Sequence, residues 1–179
     1  MRKNLRKLAL GAALLGMTGA QAAQAQNCLT QPELTAMVTY ALPVVMDSAI
    51  KTCRPNLSAQ GYFATQGPAL VERYSVRKPG SWPMAKAALL KIGDGRDDRM
   101  KDTIAMLPDS ALQPFAEAMV AQMVTEGIKA DQCVAIERAT RLLSPLPPEN
   151  TAELLTFILA MADKPKPGKK SDLPLCPAN

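Results

Sequence analysis

Four cysteines constrain this chain more than any other feature. Cys28, Cys53, Cys133 and Cys176 are spaced so that no two lie within four residues of each other. Structural zinc sites and redox motifs use close Cys-x-x-Cys pairs, so this spacing suits neither. An even number of well-separated cysteines reads instead as two disulfides, given an oxidising compartment. Any fold the chain adopts must then bring two pairs of Cα atoms within ~7 Å.

The N-terminus supplies that compartment as an expectation. Arg2, Lys3, Arg6 and Lys7 form a basic n-region, an apolar run follows from Leu8 to Met17, and Ala20–Ala25 contains two A-x-A sites. This is the layout of a cleaved secretory signal, expected to be cut after Ala25. The apolar run is about half the ~20 residues a bilayer-spanning helix needs. The full chain has 21 Lys+Arg against 16 Asp+Glu, a net +5. Removing four basic residues leaves 17 against 16, or +1, so no nucleic-acid partner is expected. The chain has no histidine, which removes Ser-His-Asp and Cys-His nucleophile pairs and His-ligated zinc.

The periodicity predicts helices and no convincing strand. Thr30-Gln31-Pro32-Glu33 fits a capping box, with Leu29 and Leu34 placed as a hydrophobic staple. A first helix then runs to about Thr52, with a kink expected at Pro43. Further helices are expected from Pro68, over Trp82–Ile92 behind a Ser81 cap, over Asp97–Met106, and over Ser110–Glu126 behind an Asp109 cap. Two more cover Asp131–Leu143 and Thr151–Ala162. The last is apolar over about 200° of its circumference, which predicts the buried central element. The fold class is therefore all-α: a compact bundle of six or seven helices with two disulfides. Residues 1–25 are read as the signal peptide, 26–163 as a single helical domain, and 164–179 as a Pro/Lys-rich tail carrying Cys176.

Two geometric arguments bear on the cysteine pairing. If the last two helices are antiparallel, the tail could return Cys176 to Cys133, leaving Cys28 with Cys53. Those two, however, flank a helix that spans ~33 Å at 1.5 Å per residue, far beyond disulfide reach. The rigid constraint outranks the flexible one. Cys28 and Cys53 are each expected to bond one of Cys133 and Cys176, in an order the sequence leaves open.

Candidate sites are few. Asp94-Gly-Arg-Asp-Asp98 resembles a calcium loop but fails the EF-hand pattern at Arg96, Arg99 and Ala105. Asp97 with Lys101 and Arg99 with Asp102 read as ion pairs on a helix face, and so does Glu137 with Arg141. Met119 and Met123 could form half of a Cu(I) site, but with Leu112 and Phe115 they read as core filler. Glu126 falls on that same stripe and would act as a general acid if buried; its place in a final turn favours exposure. The Glu-Ser dipeptide of lytic transglycosylases is absent. Trp82 could cover the end of the bundle or line a groove. Lys164, Lys166, Lys169 and Lys170 read as a solvated tail, with contact to anionic lipid or polysaccharide as the other possibility.

Cys-Leu-Thr-x-x-Glu-Leu at 28–34, Trp-Pro-Met-Ala-Lys at 82–86, Pro-Leu-Pro-Pro-Glu-Asn at 145–150 and Leu-Pro-Leu-Cys-Pro at 173–177 resemble small four-cysteine exported helical proteins of Gram-negative bacteria. The resemblance spans most of the chain after residue 25 and brings neither an activity nor site residues. The expectation is a periplasmic or secreted, non-catalytic binding or interaction module. It would need no cofactor or metal, would not be integral to the membrane once cleaved, and would take an envelope protein or an apolar ligand as partner. A carrier of an apolar ligand or lipid is the alternative, and a carboxylate- or serine-based envelope hydrolase comes third.

Overall fold

The computed structural model describes residues 28–94, 102, 104–163, 173 and 175–176. It is an all-α fold. Six α-helices are described: α1 Gln31–Cys53, α2 Tyr62–Ser75, α3 Lys78–Asp94, α4 Asp109–Gly127, α5 Cys133–Leu143 and α6 Pro148–Ala162. Short 3-10 turns at Arg54–Asn56 and Ala130–Gln132 follow α1 and precede α5. Asp102 and residues 104–106 are also helical. The calcium-like stretch and the pairs expected at Asp97–Lys101 and Arg99–Asp102 lie outside the described residues.

α1 begins where the capping box places it. Thr30 Oγ1 accepts from Glu33 N, and the Glu33 carboxylate accepts from Thr30 N at 2.9 Å. Leu29 and Leu34, the staple pair, are both buried. The helix continues through Pro43 without interruption to Cys53. It is long and apolar enough to cross a membrane by length and composition alone. Here it is the core helix, with α2, α3, α4 and α6 all packed on it.

The directions of the neighbours follow from who meets whom. On α2, Gly67 lies against Ile50, while Leu70 and Tyr74 pack with Leu42, so α2 runs antiparallel to α1. A Cβ on Gly67 would come within 2.9 Å of Ile50 Cδ1, which is why a glycine sits at this crossing. On α3, Trp82 meets Tyr40 and Lys91 meets Glu33, again antiparallel. On α4, Glu117 meets Tyr40 and Thr125 meets Thr52, so α4 runs parallel to α1.

The disulfides fall within the class that helix rigidity allows, since Cys28 and Cys53 are not joined to each other. Cys53 bonds Cys133, and both are fully buried beside Ile50 and Phe63. Cys28 bonds Cys176, where Leu29 and Leu175 form an isolated parallel bridge and Cys176 N donates to Leu29 O at 2.9 Å. No β-strand is found among the described residues beyond that bridge.

Several expectations need correction. α2 starts at Tyr62 rather than at Pro68, which lies inside it. The earlier start is held by Phe63, buried in the Cys53–Cys133 cluster, and by a cap from another helix. α3 starts at Lys78, and Ser81 donates to Lys78 O from within the helix instead of capping it. Pro108, not Asp109, is the N-cap of α4, a one-residue difference of the kind fraying ends produce. The largest correction concerns α6, which is not central. It buries Thr151, Ala152 and Thr156 and leaves Leu154, Phe157, Ile158, Leu159 and Met161 exposed. Its apolar arc is wide enough for several neighbours, but α1 is its main one.

Candidate functional site

The densest polar arrangement in the fold sits where α1, α3 and α4 meet. Trp82 and Tyr40 are both buried, with ring centroids 4.7 Å apart and planes tilted by 43°. Tyr40 Oη donates to Glu117 Oε1 at 2.7 Å, and Lys78 Nζ pairs with the same oxygen at 2.8 Å. Lys78 Nζ also lies 5.1 Å from the Tyr40 ring centroid, within cation–π range. Lys86 pairs with Asp109 at 2.6 Å, and further along α3 Lys91 pairs with Glu33 at 2.7 Å. Three lysines of α3 thus clamp one carboxylate of α1 and two of α4.

The electrostatics make this cluster a lock. Burial raises the Tyr40 pKa above its usual value, and the Glu117 hydrogen bond and charge raise it further, so the hydroxyl keeps its proton. Burial alone would also raise Glu117, but the hydrogen bonds from Lys78 and Tyr40 and the Lys78 charge outweigh it, and its pKa falls. Glu33 behaves alike: burial opposes ionisation, and Lys91 with the Thr30 donors overcomes it. Asp109 is lowered by its hydrogen bond from Lys86, then by the nearby Trp82 indole. That indole Nε1 is buried and reaches no acceptor at full hydrogen-bond geometry, so its effect on Asp109 comes from proximity. All three carboxylates are held ionised, and none is poised to give or take a proton near neutral pH.

Glu137 is the residue the sequence reading misplaced. Instead of pairing with Arg141, its Oε1 accepts from Phe63 N at 2.8 Å. α2 has Gly61 as N-cap, which offers no side-chain acceptor, and a carboxylate from α5 takes that role. A Cβ at Gly61 would meet Glu137 Oε1 at 2.6 Å, so the glycine makes room for the borrowed cap. Ser-x-x-Glu spacing could not have revealed it, because the acceptor comes from 74 residues away.

Glu126 is exposed near the end of α4 and accepts from Gln122 Nε2 at 2.8 Å. The stripe it was read with is not core. Leu112 is fully buried, whereas Phe115, Met119 and Met123 are 50%, 48% and 62% exposed. The helix turns its Glu117 and Val120 side inward to meet α1, which leaves that stripe outside. Among the described residues no group of three Cys, Asp or Glu side chains could hold a metal ion.

Two clefts open on the surface. One, of about 590 Å³, is a broad groove lined by Gln31, Pro32, Thr35, Ala36, Thr39 and Glu153, between the start of α1 and α6. The other, of about 120 Å³, lies by the first disulfide cluster between Ile50, Arg54, Leu57 and Phe63. Neither includes the Tyr40–Glu117–Lys78 cluster. The structure and its site thus define a disulfide-linked helical protein with a polar lock inside and apolar side chains outside. No family model, curated protein or solved structure matches the chain.

Proposed function

We propose that this chain is an exported, non-catalytic helical module that works by binding in the cell envelope. The supporting observation is the outer face of α6, where Leu154, Phe157, Ile158 and Met161 stand exposed at i, i+3, i+4 and i+7. Such a stripe usually lies against a neighbour, and contiguous exposed apolar patches mark interaction sites. Two disulfides fit an oxidising compartment, and the Arg2–Ala25 layout fits export into the periplasm or medium. An apolar-ligand carrier would want an enclosed apolar cavity of ~300–1,000 Å³. The larger cleft is open and rimmed by Gln31, Thr35, Thr39 and Glu153, which favours the module.

The test is a photo-crosslinking amino acid placed at position 157 in the living host, with exposed Gln66 on α2 as control. A discrete adduct at 157 and none at 66 is the expected result; no adduct at either position, with the protein folded and exported, sinks the binding reading. Export is checked separately. The exported protein should begin near Gln26, and an intact Met1 on it would overturn cleavage.

A further inference from the structure

We propose that Cys28–Cys176 is an exchangeable disulfide: a dithiol reductant opens it and frees the Cys176 segment from the start of α1, while Cys53–Cys133 stays closed. The inference does not depend on the binding reading. The two bonds sit in opposite surroundings. Cys53 and Cys133 are both 0% exposed, enclosed by Ile50 and Phe63, with Leu57, Tyr62 and Ile136 packed around them. The cleft of about 120 Å³ beside that cluster is lined by neither cysteine. Cys28 and Cys176 are each partly exposed, and so is Leu175. Thiol–disulfide exchange needs an incoming thiolate to reach a sulfur, so access separates the two bonds before any other property does.

The opening is a two-step exchange. One thiolate of the reductant attacks one sulfur of the bond, the S–S electron pair leaves on the other cysteine, and a mixed disulfide remains. The reductant's second thiol then attacks its own sulfur in that mixed disulfide and releases the second cysteine as a thiolate. The reductant ends as its disulfide, two electrons have passed to the protein, and its two protons end on Cys28 and Cys176. Lys91 donates to Cys28 O at 3.2 Å, and its charge, offset in part by Glu33 at 2.7 Å, favours the thiolate at Cys28. What the bond holds is local. Among the described residues, Cys176 is otherwise tied to the start of α1 by its N–H to Leu29 O at 2.9 Å and by the Leu29–Leu175 bridge. The Thr30–Glu33 capping box, the Lys91–Glu33 pair and buried Leu34 hold α1 without it. Opening therefore releases Cys176 and leaves the helices packed.

The experiment is timed reduction of the purified, disulfide-bonded chain without denaturant. Dithiothreitol serves as the small dithiol and a reduced thioredoxin as the protein dithiol; samples are quenched with N-ethylmaleimide and mapped by mass spectrometry. The expected result is labelling of Cys28 and Cys176 at least about tenfold faster than of Cys53 and Cys133, with the far-UV circular dichroism unchanged. In the partly reduced protein the Cys176 amide should lose hydrogen-exchange protection while amides in the middle of α1 keep theirs. Opening by dithiothreitol alone assigns the bond to small dithiols, and opening by thioredoxin as well adds a protein dithiol; both support the proposal. It is overturned if neither reagent opens Cys28–Cys176, if all four cysteines label at equal rates, if Cys53 and Cys133 label first, or if labelling follows loss of the helical signal. Protection retained at the Cys176 amide after reduction overturns the release. A Cys28→Ser/Cys176→Ser variant tests whether burial itself protects the inner bond: it should stay helical, and Cys53–Cys133 should resist the same dithiol. Opening of that bond at the rate Cys28–Cys176 shows in the unaltered chain overturns the proposal too.

Discussion

α1 and α6 are both apolar helices, and they end in opposite situations. α1 carries Thr35, Thr39, Tyr40, Asp47, Ser48 and Thr52, yet four helices surround it. α6 is charge-free over its last nine residues before Asp163, yet half its circumference faces outward. Burial is decided by how many neighbours reach a helix along its length. α1 spans 23 residues, long enough to meet antiparallel α2 and α3 and parallel α4. α6 comes last and finds one side of α1 still free. Polar groups on α1 are accommodated because partners meet them: Glu117 for Tyr40, Lys91 for Glu33. Apolar groups on α6 are left without such partners within the described residues.

That contrast can be broken most strongly at the α1 end. Replacing Cys53 and Cys133 with Ala opens an 80-residue separation and leaves two fully buried sites underpacked. Stability should fall by ~2–5 kcal/mol, read from the urea transition as a lower midpoint, with a steeper slope as the released unfolded chain exposes more surface. Leu70→Ala removes a 1%-exposed side chain packed with Leu42 and Tyr74, and should cost ~2–4 kcal/mol by the same measurement.

The lysine clamp predicts an acid effect of definite sign. The folded pKa values of Glu33, Glu117 and Asp109 lie below their unfolded values. Their contribution is therefore complete above the unfolded carboxylate range, about pH 4–4.5, and is lost as pH falls through the lower folded values. The urea midpoint should hold from pH 7 to about 5 and drop below about 4, and Glu117→Gln should flatten part of that drop. A midpoint unchanged at pH 3 would show that the clamp carries no linkage. Tyr40→Phe removes one hydrogen bond to Glu117 and should cost ~0.5–1.5 kcal/mol. The smallest effect belongs to α6. Phe157→Ser removes a mostly exposed ring and should change stability by no more than ~0.5 kcal/mol. A loss above ~2 kcal/mol there would mean that this face is covered within the fold and that the contrast with α1 is false.

How legible this was varied from element to element, for physical reasons. The start of α1 was legible because its signal is local: Thr30 and Glu33 satisfy each other's backbone groups within one turn. The pairing class of the cysteines was legible because a helix is rigid, so the ends of α1 cannot touch. Their order was not, because it depends on where α5 and the residues before Cys176 dock. The start of α2 was hidden, since its cap is Glu137 from α5 and its anchor is Phe63 against a disulfide. α6 was misjudged because periodicity reports which faces can be buried, while the count of neighbours is a tertiary property. The same limit hid the Tyr40–Glu117–Lys78 cluster, whose members are scattered over three helices.

The bond between Cys28 and Cys176 encloses almost every described residue, and the bond between Cys53 and Cys133 lies wholly within it. In covalent terms the protein is one ring nested inside another. A single proteolytic cut anywhere between residues 28 and 176, in whatever loop it falls, opens a ring without releasing a fragment. Such a protein tolerates nicking: its helices stay tethered at both ends of the break, and the cut shows on a gel only after reduction.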